Sequence, residues 1–330
     1  MRISAKLIAV LAVVVGLPIF TQAQAQQEGP LTVRDGDSVA HILPTVQKAK
    51  ELAPPPPGTL IYHPPGVVMQ PSTNFYAIFW LPASGKLQNG AATTLPALYQ
   101  TIEKKMLGDY PGHGIANNST QYFQTVGSST KYIQVAGKLV KALIDTDEYP
   151  ASGCNDPATP GNCITDAQLR TEITKFLAAH SLKGAITNMF LVYTSSGEGS
   201  CFTSTDGECS YTVFCAYHSF ISGTTPIIYA NMPFANLSVC QVSGTPSPNG
   251  DPDADAVASI STHEMTEAIT DPELDAWFDS SGNEIGDLCN FNYGTLGWDS
   301  GMANQSWNAD FFVAQQEFDN HTGACVQVGP

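Results

Sequence analysis

Basic residues are scarce: 14 Lys and Arg face 30 Asp and Glu, a formal net charge of −16. That balance excludes a polyanionic partner, because nucleic-acid binding rests on a basic footprint that releases counterions from phosphates. Beyond Phe20 no apolar run approaches the ~20 residues a spanning helix needs, so no membrane partner is expected once a leader is removed. The chain also lacks a Gly-x-Ser-x-Gly nucleophile elbow and a phosphate-binding glycine loop ahead of a helix. These gaps set aside serine-hydrolase and nucleotide-dependent chemistry. No internal repeat is visible, and the acidity leaves room for cationic substrates or for calcium.

What is present begins with an export pattern. Arg2 and Lys6 precede an apolar stretch from Leu7 to Phe20 and the small-residue run Ala23-Gln24-Ala25. This is the layout of a secretory signal over residues 1–25, cleaved after Ala25. A secreted protein of extracellular, periplasmic or cell-wall-associated location follows from it. Without the leader the charge balance is 12 basic against 30 acidic residues. Eight Cys in an oxidising compartment read as four disulfides. Spacing suggests Cys154 with Cys163 and Cys201 with Cys209 as local staples, then Cys215 with Cys240 and Cys289 with Cys325 across longer loops. Spacing alone does not fix that connectivity.

Residues 26–58 read as an N-terminal arm, with a helix-like stretch from Val39 to Leu52 stopped by Pro54-Pro55-Pro56-Pro57, a stiff spacer that serves either a propeptide-like lead-in or a tether. Residues 59–330 read as one domain. Asn74 to Leu81 is a strand before Pro82. Leu95 to Leu107 is a helix with Leu98, Ile102 and Met106 at one-turn spacing. Asp166 to His180 is a second helix capped by Thr165. Met189–Tyr193 is a further buried strand candidate, Thr212–Phe220 follows, and Pro226–Met232 is a strand. Asp251 as cap, Pro252 at the first turn and Asp253 and Asp255 near the positive dipole end then open a helix that should run to Thr270, because Pro272 turns Asp271 away from helical angles. Alternating strands and helices predict a mixed α/β (α+β) domain: a zincin-like unit with a mixed sheet, an active-site helix and disulfide-stapled loops.

That helix carries Ser261-Thr262-His263-Glu264-Met265-Thr266-Glu267. Residues four apart share a helix face, so His263 and Glu267 converge on one cation with Glu264 beside them. The geometry is that of the zinc-peptidase motif H-E-x-x-H, with Glu267 in place of the second His and Glu264 as base for a bound water. Chance supplies Glu at both positions after one of seven His about once in a hundred such sequences. The plainer alternative is a solvated helix face with a weak His263–Glu267 ion pair. A carboxylate in place of imidazole lowers the Lewis acidity of zinc and makes a harder cation more competitive.

The run His263-Glu264-x-x-Glu267, then Asp271-Pro272, Ala276-Trp277 and Glu284-Ile285-Gly286-Asp287-Leu288-Cys289, resembles the C-terminal block of the plant EXORDIUM (phosphate-induced protein) family and its bacterial relatives. Plant members have Asn-Pro where this chain has Asp-Pro. A weaker resemblance extends upstream through Tyr62-His63, the Phe75 to Trp80 strand and Cys215-x-x-His218, covering most of Leu60 to Cys325. It implies a secreted, cell-surface or wall-associated protein, and does not by itself imply peptidase activity.

A tetrahedral zinc site needs a third protein ligand and one open position. Asp287 is the first candidate, with a turn or capping carboxylate as its plain reading; Glu284 is an alternative in the same string, and so is Asp271, whose plain reading is a helix-ending Asx-turn. His218 is a third ligand, an oxyanion stabiliser or a strand-end His satisfied by backbone. The leading expectation is a zincin-like metallopeptidase: His263, Glu267 and Asp287 on zinc, Glu264 and His218 as catalytic groups, and a peptide or protein as substrate. The other is a non-catalytic extracellular binding protein stabilised by calcium through Asp271, Glu284 and Asp287.

Overall fold

The computed structural model describes residues 27–52, 59–205 and 207–330. The expected leader and the Pro54–Pro57 spacer lie outside them. A seven-stranded mixed sheet runs, in spatial order, Thr32–Asp35, Ser38–Pro44, Phe214–Ile221, Ile227–Met232, Asn188–Thr194, Ser72–Trp80 and Ala136–Asp145. The last four are mutually parallel, and the first three pair antiparallel with their neighbours. Helices cover both faces. Tyr99, Ile102 and Met106 of the Ala97–Asp109 helix, with the apolar residues of the Pro252–Thr270 helix, join Phe75, Leu191 and Ala230 in one core. Leu169, Ile173 and Phe176 of the Asp166–Ala179 helix join Ile78, Val192 and Tyr229 in the other. Burial on both faces explains why the central strands are almost continuously apolar.

Two of the expected helix starts hold, and the helix expected from Leu95 begins at Ala97. Asp251 accepts from the Ala254 N–H at 3.2 Å with Pro252 in the first turn, and Thr165 forms a capping box with Gln168. The expected strand at Asn74–Leu81 is Ser72–Trp80. Leu98, placed on the buried face of its helix by its spacing, is 50% exposed, and Tyr99 takes the buried position instead.

Two differences concern the N-terminal segment. Val39 to Leu52 is not one helix: Ser38–Pro44 is a strand, and only Val46–Glu51 is helical, capped by Thr45. Nor do residues 32–44 stand apart as an arm, since both of their strands belong to the main sheet. Val39–Pro44 is apolar apart from His41 and buried on both faces, so helical and strand periodicity do not separate it in sequence.

All four expected cysteine pairs are bonded: Cys154–Cys163, Cys201–Cys209, Cys215–Cys240 and Cys289–Cys325. No described helix is long and apolar enough to cross a membrane.

Candidate metal centre

The centre lies between the sheet and the Pro252–Thr270 helix. His41 and His218 are cross-strand partners on the sheet face that the helix covers. His263, Glu264 and Glu267 descend from the helix, and Asp271 closes its C-terminus. Glu284 and Asp287 come from the turn that follows, beside the Cys289 disulfide. Gln315 and Glu317 enter from the C-terminal segment. The three His and Glu264, Glu267, Asp271, Glu284 and Glu317 have no accessible surface, and Asp287 is 5% exposed. A solvated helix face is therefore not what the motif forms.

His41 is fully engaged. Gln27 Nε2 lies 2.8 Å from its Nδ1, and its Nε2 lies 2.6 Å from Asp287 Oδ2. Gln27 Nε2 also donates to Gly282 O at 2.7 Å. In either charge state of the His41 ring its Nε2–H donates to Asp287. Asp287 Oδ2 also accepts the Glu284 N–H at 2.7 Å, so the Asp287 carboxylate organises its own turn.

The helical residues are less completely served. Gln315 Nε2 lies 2.8 Å from His263 Nδ1, and His263 Nε2 lies 3.1 Å from Glu267 Oε2 without hydrogen-bond alignment. His218 Nδ1 lies 3.2 Å from Glu264 Oε2, while His218 Nε2 sits 3.7 Å from Glu284 Oε1. The unpartnered buried atoms include His218 Nε2, His263 Nε2, Glu264 Oε1, Asp287 Oδ1 and both carboxylate oxygens of Glu267, Glu284 and Glu317. Buried polar groups are ordinarily paired, and several orphaned oxygens beside two orphaned imidazole nitrogens make a donor set suited to a cation. Two trios with ligand atoms within 4.8 Å of one another share Glu267: His41, Glu267 and Asp287, and His218, Glu267 and Glu284.

The protonation tendencies fit a cluster of confined carboxylates. Burial, then the charges of Glu267 and Asp287, holds the Glu264 carboxyl well above its usual range. Burial does the same to Glu284 and Glu317, and Glu267 is raised by burial and Asp287 against the pull of His263. Asp271 is pushed up to about 7 by burial, although its Oδ1 accepts the Asp275 and Ala276 N–H groups at 2.6 and 2.7 Å. Those two bonds make Asp271 a helix-ending carboxylate, its plain reading. Burial, with His41 and His263 nearby, drives His218 well below the usual imidazole range. Burial acts the same way on His41, but the Asp287 charge and hydrogen bond outweigh it and bring His41 to about 9.

Gly286 sets the closeness of the turn. A Cβ there would stand 2.5 Å from His263 Nδ1 and 2.9 Å from Glu267 Oε1. Only glycine lets this backbone rest on the imidazole. On its outer side Asp287 borders a cavity of about 430 Å³, lined also by Leu31, Val46, Leu52 and Phe291.

His263, Glu264, Glu267, Asp287 and His218, selected from sequence, thus share one cluster, as do the alternatives Glu284 and Asp271. His41, Gln27, Gln315 and Glu317 were not selected. His41 carried one signal, a lone polar side chain in an apolar run; Gln315 and Glu317 carried none. Cys215, the other half of the Cys-x-x-His spacing, is bonded to Cys240 and is no ligand. No family model matches the chain, and no curated protein or solved structure matches it.

Proposed function

We propose that this is a secreted metal-dependent hydrolase of the zincin-like type, with a divalent cation, zinc first, held by His263 and Glu267 and by the free oxygen of Asp287. The observation that supports it is the convergence of orphaned, fully buried ligand atoms on the H-E-x-x-E helix. A cation in such a position polarises a substrate carbonyl and acidifies bound water. The chain's own part falls to Glu264 and His218. Glu264 Oε1 is free to accept a proton, and its other oxygen faces His218 Nδ1 at 3.2 Å. Burial raises the proton affinity of Glu264, the direction a general base needs. A peptide bond is the proposed target. The EXORDIUM-like reading of the C-terminal block, and with it a cell-surface or wall-associated place, belongs to the same proposal.

Complete burial of Glu264 favours a second reading, in which the cation stabilises an exported binding protein without turnover. The purified protein separates the two. Stoichiometric metal by mass spectrometry together with hydrolysis of a peptide library supports the hydrolase. Metal without hydrolysis supports the binding protein, with calcium then the cation to test by its effect on melting temperature. Absence of any bound divalent cation at neutral pH sinks both.

A further inference from the structure

We propose that the centre holds two divalent cations bridged by Glu267, one on His263 and the second on His218 and Glu284. This rests on the metal-centre reading above and extends it. The argument begins with which imidazoles are free to ligate. His41 has both nitrogens occupied, by Gln27 and by Asp287, and so serves to fix Asp287. His218 Nε2 and His263 Nε2 remain, one from the sheet and one from the helix, both buried and without a hydrogen bond.

These two nitrogens do not face the same neighbour. His263 Nε2 lies 3.1 Å from Glu267 Oε2. The edge of His218 nearest Glu267 is instead its Nδ1, at 3.6 Å from Oε2 and 3.2 Å from Glu264 Oε2. If Nδ1–H donates to Glu264, the lone pair of His218 is on Nε2, which faces Glu284 Oε1 at 3.7 Å. A carboxylate that takes the second N–H of a histidine is the usual partner of a metal-bound imidazole. His218, Glu267 and Glu284 offer ligand atoms within 4.8 Å of one another, and this trio does not include His263. Both oxygens of Glu267 lack a partner, which leaves one for each position.

Charge points the same way. With His41 paired to Asp287, five fully buried carboxylates remain in the centre: Glu264, Glu267, Asp271, Glu284 and Glu317. Ionised, they carry more charge than one divalent cation compensates. Two-cation hydrolytic centres of this kind place the ions ~3.5–4 Å apart and clamp both the attacking and the leaving oxygen.

Metal-free protein is loaded with Mn²⁺, and bound metal is counted by equilibrium dialysis while the low-temperature EPR spectrum is recorded. Two equivalents and an exchange-coupled spectrum are expected. Glu284→Gln, checked for native circular dichroism, should bind one equivalent and give an uncoupled six-line spectrum. A single equivalent with the uncoupled spectrum in the unsubstituted protein overturns the second position and leaves the one-cation reading standing. No bound Mn²⁺, Zn²⁺ or Ca²⁺ overturns both. The wild-type measurements decide the matter even where the variant does not fold.

Discussion

His41 and His218 face each other across adjacent antiparallel strands, ring centroids 5.8 Å apart, and are driven in opposite directions. Burial depresses both; the charge and hydrogen bond of Asp287, helped by Glu267 and Asp271, reverse the effect at His41, which rises to about 9, while the neighbouring His41 and His263 push His218 further below the imidazole range. One ring is thereby a lasting donor to Asp287, and the other keeps a free lone pair. Neither the helix motif nor the strand pattern alone contains that division of labour.

Glu264→Gln should retain metal and fold, because the amide keeps shape and most hydrogen bonds, while hydrolysis falls by roughly 10²-fold or more. Glu267→Gln should instead weaken metal binding, since a neutral amide is a poorer ligand. Metal analysis and turnover on the two variants check this pair; equal metal loss from both would make Glu264 a ligand or a structural group.

Gly286→Ala should destabilise the protein by about 1–3 kcal/mol, the usual scale of an overpacked core. The added methyl meets His263 Nδ1 at 2.5 Å, so the imidazole or the turn must shift to admit it. Metal affinity should drop together with melting temperature. An unchanged melting temperature would mean that the turn is free to lift from the helix.

In the metal-free protein, stability should decline as pH rises from about 5 to 9. Glu264, Glu284, Glu317 and Asp271 are raised in the folded state, Asp271 to about 7. Such groups bind protons more tightly folded than unfolded, so their contribution is present at low pH and is lost as pH climbs through the folded values. His41, raised to about 9, acts in the same sense at the upper end. His218 opposes them only below the unfolded imidazole value, where its depressed affinity costs stability as pH falls. Divalent cation should restore stability most at the alkaline end, because metal and protons compete for the same ligands. Calorimetry across pH with and without chelator tests the sign, and a melting temperature that rises with pH in chelator would contradict it.

Replacing Cys289 and Cys325 by Ala removes a bond of sequence separation 36 and should cost about 4 kcal/mol by loop-closure entropy. Cys289 ends the short helical turn that begins at Asp287, so weaker metal binding should accompany the loss. Replacing Cys154 and Cys163, whose separation is 9, should reduce stability and leave metal affinity unchanged. Equal effects on metal would show that the Cys289 bond does not hold the turn.

The helix of the centre was legible because local rules agree along it: Asp251 caps it, Pro252 starts it, and Asp271 before Pro272 ends it. The cysteine pairs followed spacing because each joins neighbours along the chain. Ala136–Asp145 escaped notice because it is an edge strand with Lys138 and Lys141 exposed, and its polar face hides its strand character. His41 escaped because a strand buried on both faces has no alternation to read, and its partner Asp287 lies 246 residues away. Gln315 reaches His263 over 52 residues, a distance no local pattern spans.

The centre draws side chains from Gln27 to Glu317, nearly the whole described length. A chain leaving the ribosome N-terminus first presents His41 long before its sheet partner His218, and Gln315 among the last residues of all. Contacts of such separation close slowly, after the local helices have formed. The imidazoles of His41 and His218 should therefore join the carboxylates of residues 264–317 late in folding, and on the proposed reading the cation is drawn from whichever compartment surrounds the finished chain.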